Sequence, residues 1–135
     1  MPIIELDDTV ACLRVEAIGP DRFTAPHIPM AYRRVFGGQL LAQCIAVAAT
    51  TTPGKQVASI HATFPREGDL SQPIQYAVER IQDGRSFAGR LIVGEQAGRR
   101  VVVAQVSLHV GESGPEHAME PPVVPSPGDC PRRDL

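Results

Sequence analysis

Val35-Phe36-Gly37-Gly38-Gln39-Leu40-Leu41-Ala42-Gln43-Cys44-Ile45-Ala46-Val47-Ala48-Ala49-Thr50 is the segment that decides the fold. It is rich in Ala and Leu, carries no Gly or Pro after Gly38, and stops ahead of Pro53-Gly54. Those features predict a helix over about 38–50. Only Gln39 and Gln43 interrupt the apolar circumference before Thr50. A helix apolar on all sides must be buried on nearly all of them. In a chain of 135 residues, a sheet wrapped around it is the available cover.

The flanking sequence supplies that sheet. Upstream, Ala11–Ile18 and Phe23–Ala25 bracket Gly19-Pro20-Asp21 and predict a short hairpin, followed by a Pro-containing loop from His27 to Arg34. Downstream, Val57–Phe64 is β-branched and aromatic, and Ile74–Ile81 runs into Asp83-Gly84, a strong hairpin signal. Phe87–Gln96 is the return strand, Ala97-Gly98-Arg99 a second turn, and Arg100–Val110 a last strand apolar enough to face cover on both sides. Two strands, one buried helix, then four strands in a meander make an α+β hotdog fold, a curved antiparallel sheet around a single long helix. Alone, it leaves an open sheet edge, and such edges are normally paired. A homodimer or a second, linked hotdog is therefore expected.

Residues 1–110 form that one domain, with the packed part beginning near residue 10. Six of the 13 prolines fall between Pro115 and Pro131, and apolar periodicity ends at Val110, so 111–135 is expected to be an extended tail or linker. Net charge is −2, from 13 Lys+Arg and 15 Asp+Glu, and six residues are aromatic, so neither a basic stripe nor stacking platforms for nucleic acid exist. Leu40–Ala49 is far short of a bilayer span. The start, Met1 to Asp8, lacks a basic leader. A cytoplasmic protein without membrane or nucleic-acid partners is expected. Cys12, Cys44 and Cys130 form no CxxC pair, and His27, His61, His109 and His117 have no zinc spacing, so no metal or cofactor is expected.

Phe36-Gly37-Gly38-Gln39 is the best candidate site. Two glycines permit close approach to the backbone, and helix N-terminal amides carry partial positive charge suited to an oxyanion. The same pattern also fits a plain Gly-rich loop beneath a neighbouring strand. Arg85 and Ser86, in the Asp83–Phe87 turn, could meet a phosphate or simply be solvated. His61, on a strand face with Ser59 and Thr63, and Asp69, in the Arg66-Glu67-Gly68-Asp69 loop, are weak candidates for a base. Gln43 could orient a water but not take its proton. The helix has no Asp, Glu or His, and thioester hydrolysis needs a base held against the attacking water.

Several segments resemble, in order, the amino-terminal half of the acyl-CoA thioesterase II family. They are Val35-Phe36-Gly37-Gly38-Gln39, Phe64-Pro65-Arg66-Glu67-Gly68-Asp69, Gln72-Pro73-Ile74-Gln75-Tyr76, Asp83-Gly84-Arg85-Ser86-Phe87 and Gly114-Pro115-Glu116-His117. The resemblance implies a double hotdog hydrolysing acyl-CoA to fatty acid and CoA, with the water-activating residues in the carboxy-terminal hotdog. Family members are about twice this length, and Val123-Val124-Pro125-Ser126-Pro127 looks like their interdomain linker. Glu67 stands where the family favours Pro, and Thr63 where it favours an aromatic. An acyl-CoA thioesterase is the expectation; a non-catalytic acyl-CoA-binding or scaffold hotdog that requires a carboxylate-bearing second half is the alternative.

Overall fold

A computed structural model describes residues 6–30 and 33–131. The acidic start through residue 5, residues 31 and 32 of the expected loop, and the last four residues of the tail lie outside the described residues. The elements are α1 (Leu6–Ala11), β1 (Glu16–Gly19), β2 (Arg22–Ala25), α2 (Gly37–Thr50), β3 (Gln56–Thr63), β4 (Ile74–Asp83), β5 (Phe87–Gln96) and β6 (Arg99–His109). All six strands join one antiparallel sheet in the order β1-β2-β4-β5-β6-β3. This is the hotdog arrangement, with α2 lying across the sheet.

Three expectations need correction. The first strand, expected over Ala11–Ile18, begins only at Glu16, because α1 runs through Ala11 and residues 12–15 form a turn and connecting chain. The last four strands are not a meander: β3 crosses to the far edge and pairs with β6, Thr63 opposite Val103. The chain between Phe64 and Pro73 makes that crossing with no strand of its own. Third, α2 is not enclosed. Its inward face (Leu40, Cys44, Val47, Ala48) is buried against the sheet, whereas Ile45 is 37% exposed and Ala49 is exposed. Gln105, pointing away from the helix on β6, is likewise exposed.

The core is the contact between that helix face and the inward positions of the strands. Ile74 and Tyr76 of β4, Ile92 of β5, and Val102, Ala104, Val106 and Leu108 of β6 are all at most 1% exposed. Burial of each larger apolar side chain contributes about 1.5–3 kcal/mol. The β5–β6 turn is two residues, Ala97 (φ 48) and Gly98 (φ 71), both left-handed, which matches the twist of the strands it joins.

One buried cation fixes the far end of the helix. Arg90 occupies an inward position on β5 and is fully buried. Its guanidinium donates to Thr51 Oγ1 (3.1 Å) and Thr51 O (3.0 Å) at the end of α2, to Gln82 O and Gly89 O, and to Asp83. It therefore ties the helix C-terminus, where backbone carbonyls carry partial negative charge, to the β4–β5 hairpin. Among the described residues no helix is long and apolar enough to cross a membrane.

Candidate functional site

The start of α2 has backbone donors with no acceptor. Phe36 is the N-cap, extended at φ −67 and ψ 128, and its side chain can form no cap. The amides of Gln39 (3.0 Å) and Leu40 (3.3 Å) both turn to Phe36 O. Those of Gly37 and Gly38 precede the helical ladder and have no partner among the described residues. Beside them a cleft of about 370 Å³ is lined by Gly37, Leu40, Phe64, Pro65 and Gly68, among others. Phe36 and Phe64 stay 58% and 44% exposed at this end of the helix.

Gly38 has a more local reason to be glycine than access for a ligand. A Cβ there would sit 2.4 Å from the Phe36 ring, so that ring already covers it. A Cβ at Gly37 would instead stand 3.7 Å from Phe64, an ordinary contact at the cleft wall. Gly37 is the glycine that keeps the backbone accessible.

Both glutamines turn inward. Gln39 is 2% exposed; its Oε1 accepts the Ile28 amide at 3.0 Å and its amide nitrogen lies 2.9 Å from His27 Nδ1. With its oxygen occupied by Ile28, Gln39 must donate to His27, so Nδ1 is the acceptor and Nε2 carries the proton given to Gln72 O. His27, near the helix start, thus has both ring nitrogens engaged. Gln43 is fully buried, donates to Cys12 O (2.8 Å) and Pro26 O (2.7 Å), and accepts the Tyr76 hydroxyl at 2.5 Å. Burial pushes the Tyr76 pKa up, so that proton stays on the phenol. Fully buried and with both N–H groups given to interior carbonyls, Gln43 does not reach a cleft water, contrary to the expectation that it could orient one.

The remaining candidates are dispersed. His61 is exposed on β3 opposite Gln105. Asp69 accepts from the Ser71 amide at 2.8 Å, and its hydrogen bonding with Ser71 keeps its carboxyl below the usual range and ionised. Arg85 and Ser86 form the β4–β5 turn that Arg90 ties to the C-terminus of α2. They are therefore at the opposite end of the helix from Gly37, roughly 20 Å along 14 residues.

The loop carrying Asp69 has its own brace. Gln96, the last inward position of β5, accepts the Asp69 amide (2.7 Å) and donates to Asp69 O (2.6 Å) and Gln72 O. The Val35 amide donates to Gly68 O at 3.0 Å from the other side. Tyr76, Arg90 and Gln96 were missed by sequence reasoning. For Arg90 and Gln96 the signal was present, since strict alternation on β5 puts both on the face of Ile92.

A family model described as acyl-CoA thioesterase N-terminal domain matches residues 24–109. Human acyl-coenzyme A thioesterase 8 is 33% identical over 117 residues, covering 85% of this chain and 37% of that protein. Acyl-CoA thioesterase 2 of Haemophilus influenzae is 32% identical over 125 residues, 92% of this chain and 44% of that one. Among solved structures, the tesB protein of Mycobacterium avium subsp. paratuberculosis superimposes with a TM-score of 0.78 at 30% identity, covering 87% of this chain and 48% of its own. The chain spans less than half the length of each.

Proposed function

Since this chain belongs to the acyl-CoA thioesterase family through that family's amino-terminal domain, we propose that it is one hotdog of a paired thioesterase hydrolysing acyl-CoA to a free fatty acid and CoA. The observation that carries this reading is the unsatisfied amide of Gly37 in the wall of the cleft at the start of α2. A thioester carbonyl placed there gains a donor whose bond strengthens as its oxygen becomes an oxyanion. One such donor contributes about 3–4 kcal/mol to lowering the barrier in acyl transfer. Water adds to the carbonyl carbon, the C–S bond breaks, and the proton lost by water balances the one gained by the CoA thiolate.

Deprotonating that water is a task for the partner. α2 has no carboxylate or imidazole, and Gln39, Gln43 and His27 are consumed by internal bonds. Pairing with a second hotdog is supported by β3, whose outer edge has no strand beside it among the described residues, and by the partly exposed Ile45 side of α2. The exposed stretch 111–131 fits the linker side of such a pair. Three unpaired cysteines are consistent with a reducing, cytoplasmic location.

The spent glutamines also favour a second reading, in which this chain binds acyl-CoA and leaves all chemistry to its partner. Calorimetric titration with a medium-chain acyl-CoA beside a thiol-release assay separates the two. Binding that Gly37→Val abolishes, with an unchanged melting temperature, supports the site. Turnover appearing only with a carboxylate-bearing hotdog assigns the base to the partner, and robust turnover by the pure chain means this chain holds its own base. Absence of binding to any acyl-CoA overturns both readings.

A further inference from the structure

The cleft beside Gly37 does not end at the loop that borders it. A second depression, of about 530 Å³, has Arg66, Gln96, Ala97, Arg99 and Val101 in its lining, and it shares Pro65, Arg66 and Glu67 with the first. The two are one groove, running from the start of α2 across the 65–68 loop to the β5–β6 turn. Its floor is built, because Gln96 is 8% exposed and holds the loop with three hydrogen bonds.

The charges along the groove are not evenly placed. Its amide-bearing end is the one next to Gly37. Arg66 borders both depressions and Arg99 stands toward the β5–β6 turn, both exposed and neither with a hydrogen-bond or ion-pair partner among the described residues. Of the carboxylates nearby, Glu67 is paired with Arg34 at 2.8 Å, and Asp69, which also lines this depression, accepts from the Ser71 amide and keeps its charge. Two unpaired guanidinium groups across a rigid floor suit a small, multiply charged anion, since a guanidinium can grip phosphate oxygens with two parallel bonds. In a chain of net charge −2 they are a local dyad, not part of a basic surface.

We infer that Arg66 and Arg99 receive the phosphates of the CoA moiety, with the pantetheine arm lying over Pro65 and the thioester at Gly37. This rests on the acyl-CoA reading above and deepens it. It also moves the phosphate contact away from Arg85, which lies at the other end of α2.

The test compares two thioesters with the same acyl chain, decanoyl-CoA and phosphate-free decanoyl-pantetheine, by calorimetry on the full chain. Wild type should bind decanoyl-CoA more tightly, with an advantage that shrinks as salt is raised. Arg66→Gln/Arg99→Gln should weaken decanoyl-CoA binding roughly tenfold, leave decanoyl-pantetheine and the melting temperature unchanged, and lose the salt dependence. Arg85→Gln should behave as wild type. Equal binding of decanoyl-CoA by wild type and the double variant overturns the assignment, as does a loss that follows Arg85→Gln. Competition by ADP or inorganic phosphate as strong as that by free CoA makes the dyad a general anion site and also overturns it. If wild type binds decanoyl-pantetheine with no gain from the CoA portion, this inference falls while the thioester site stands. If wild type binds neither thioester, the functional reading falls and takes this inference with it.

Discussion

Replacing Gln43 by Leu keeps a side chain of similar size but removes one acceptor and two donors from the interior. The Tyr76 hydroxyl, on a residue only 1% exposed, loses its acceptor, and the carbonyls of Cys12 and Pro26 lose donors at 2.8 and 2.7 Å. A buried polar group left unpaired costs about 1–3 kcal/mol. Pro26 O is only part-buried and can turn to water, so the sum is about 3–5 kcal/mol, a large share of a small domain's stability. Urea denaturation followed by circular dichroism measures it, and the melting temperature should fall by more than about 10 °C. Tyr76→Phe alone should cost about 1–2 kcal/mol, and the double variant less than the two combined, because removing both partners leaves fewer orphans. Gln43→Asp should be worse than Gln43→Leu, since a carboxylate there faces two carbonyls with nothing to donate. A Gln43→Leu protein that keeps its stability but loses thioester turnover would refute this account and restore a water-orienting role. So would increased turnover in Gln43→Asp.

Arg90→Met should lower stability by about 3 kcal/mol in chemical denaturation, because five buried or half-buried acceptors lose their donor; Arg90→Lys should not restore it, a single ammonium being unable to span that fork. Burial pushes the Cys44 thiol up to about 12 and raises that of Cys12, so iodoacetamide on the native protein near neutral pH should label Cys130 alone by mass spectrometry. Labelling of Cys44 without unfolding would contradict the buried face of α2. Truncation after Gly111 should shift the melting temperature by less than about 2 °C, since every residue from 111 to 131 is exposed; a larger loss would mean the tail docks.

The legible part of this fold is the part written in local chemistry. Asp83-Gly84 and Ala97-Gly98 punctuate the strands so firmly that β5 could be bounded to the residue. The crossing of β3 to the far edge was not legible, because strand pairing is a long-range choice and nothing near Thr63 names Val103 as its neighbour. Leu6–Ala11 is too short to display a helical period, and no helix is legible there from the sequence. At the site, the two glycines at the start of α2 are legible because a missing Cβ belongs to the residue itself, whereas the Phe36 ring lying over Gly38 is not. Nor are the roles of Gln39 and Gln43, since an amide serves a water or a buried carbonyl equally well until the helix face is known.

The loop over residues 65–73 draws its shape from Gln96, a side chain on another strand, as much as from its own turn residues. Conformation and sequence are thereby uncoupled: the residues along the loop can change while the path of the backbone is conserved by a distant amide. Such a loop can be re-lettered to suit different ligands, and the position least free to drift is then Gln96, which braces it from the strand below.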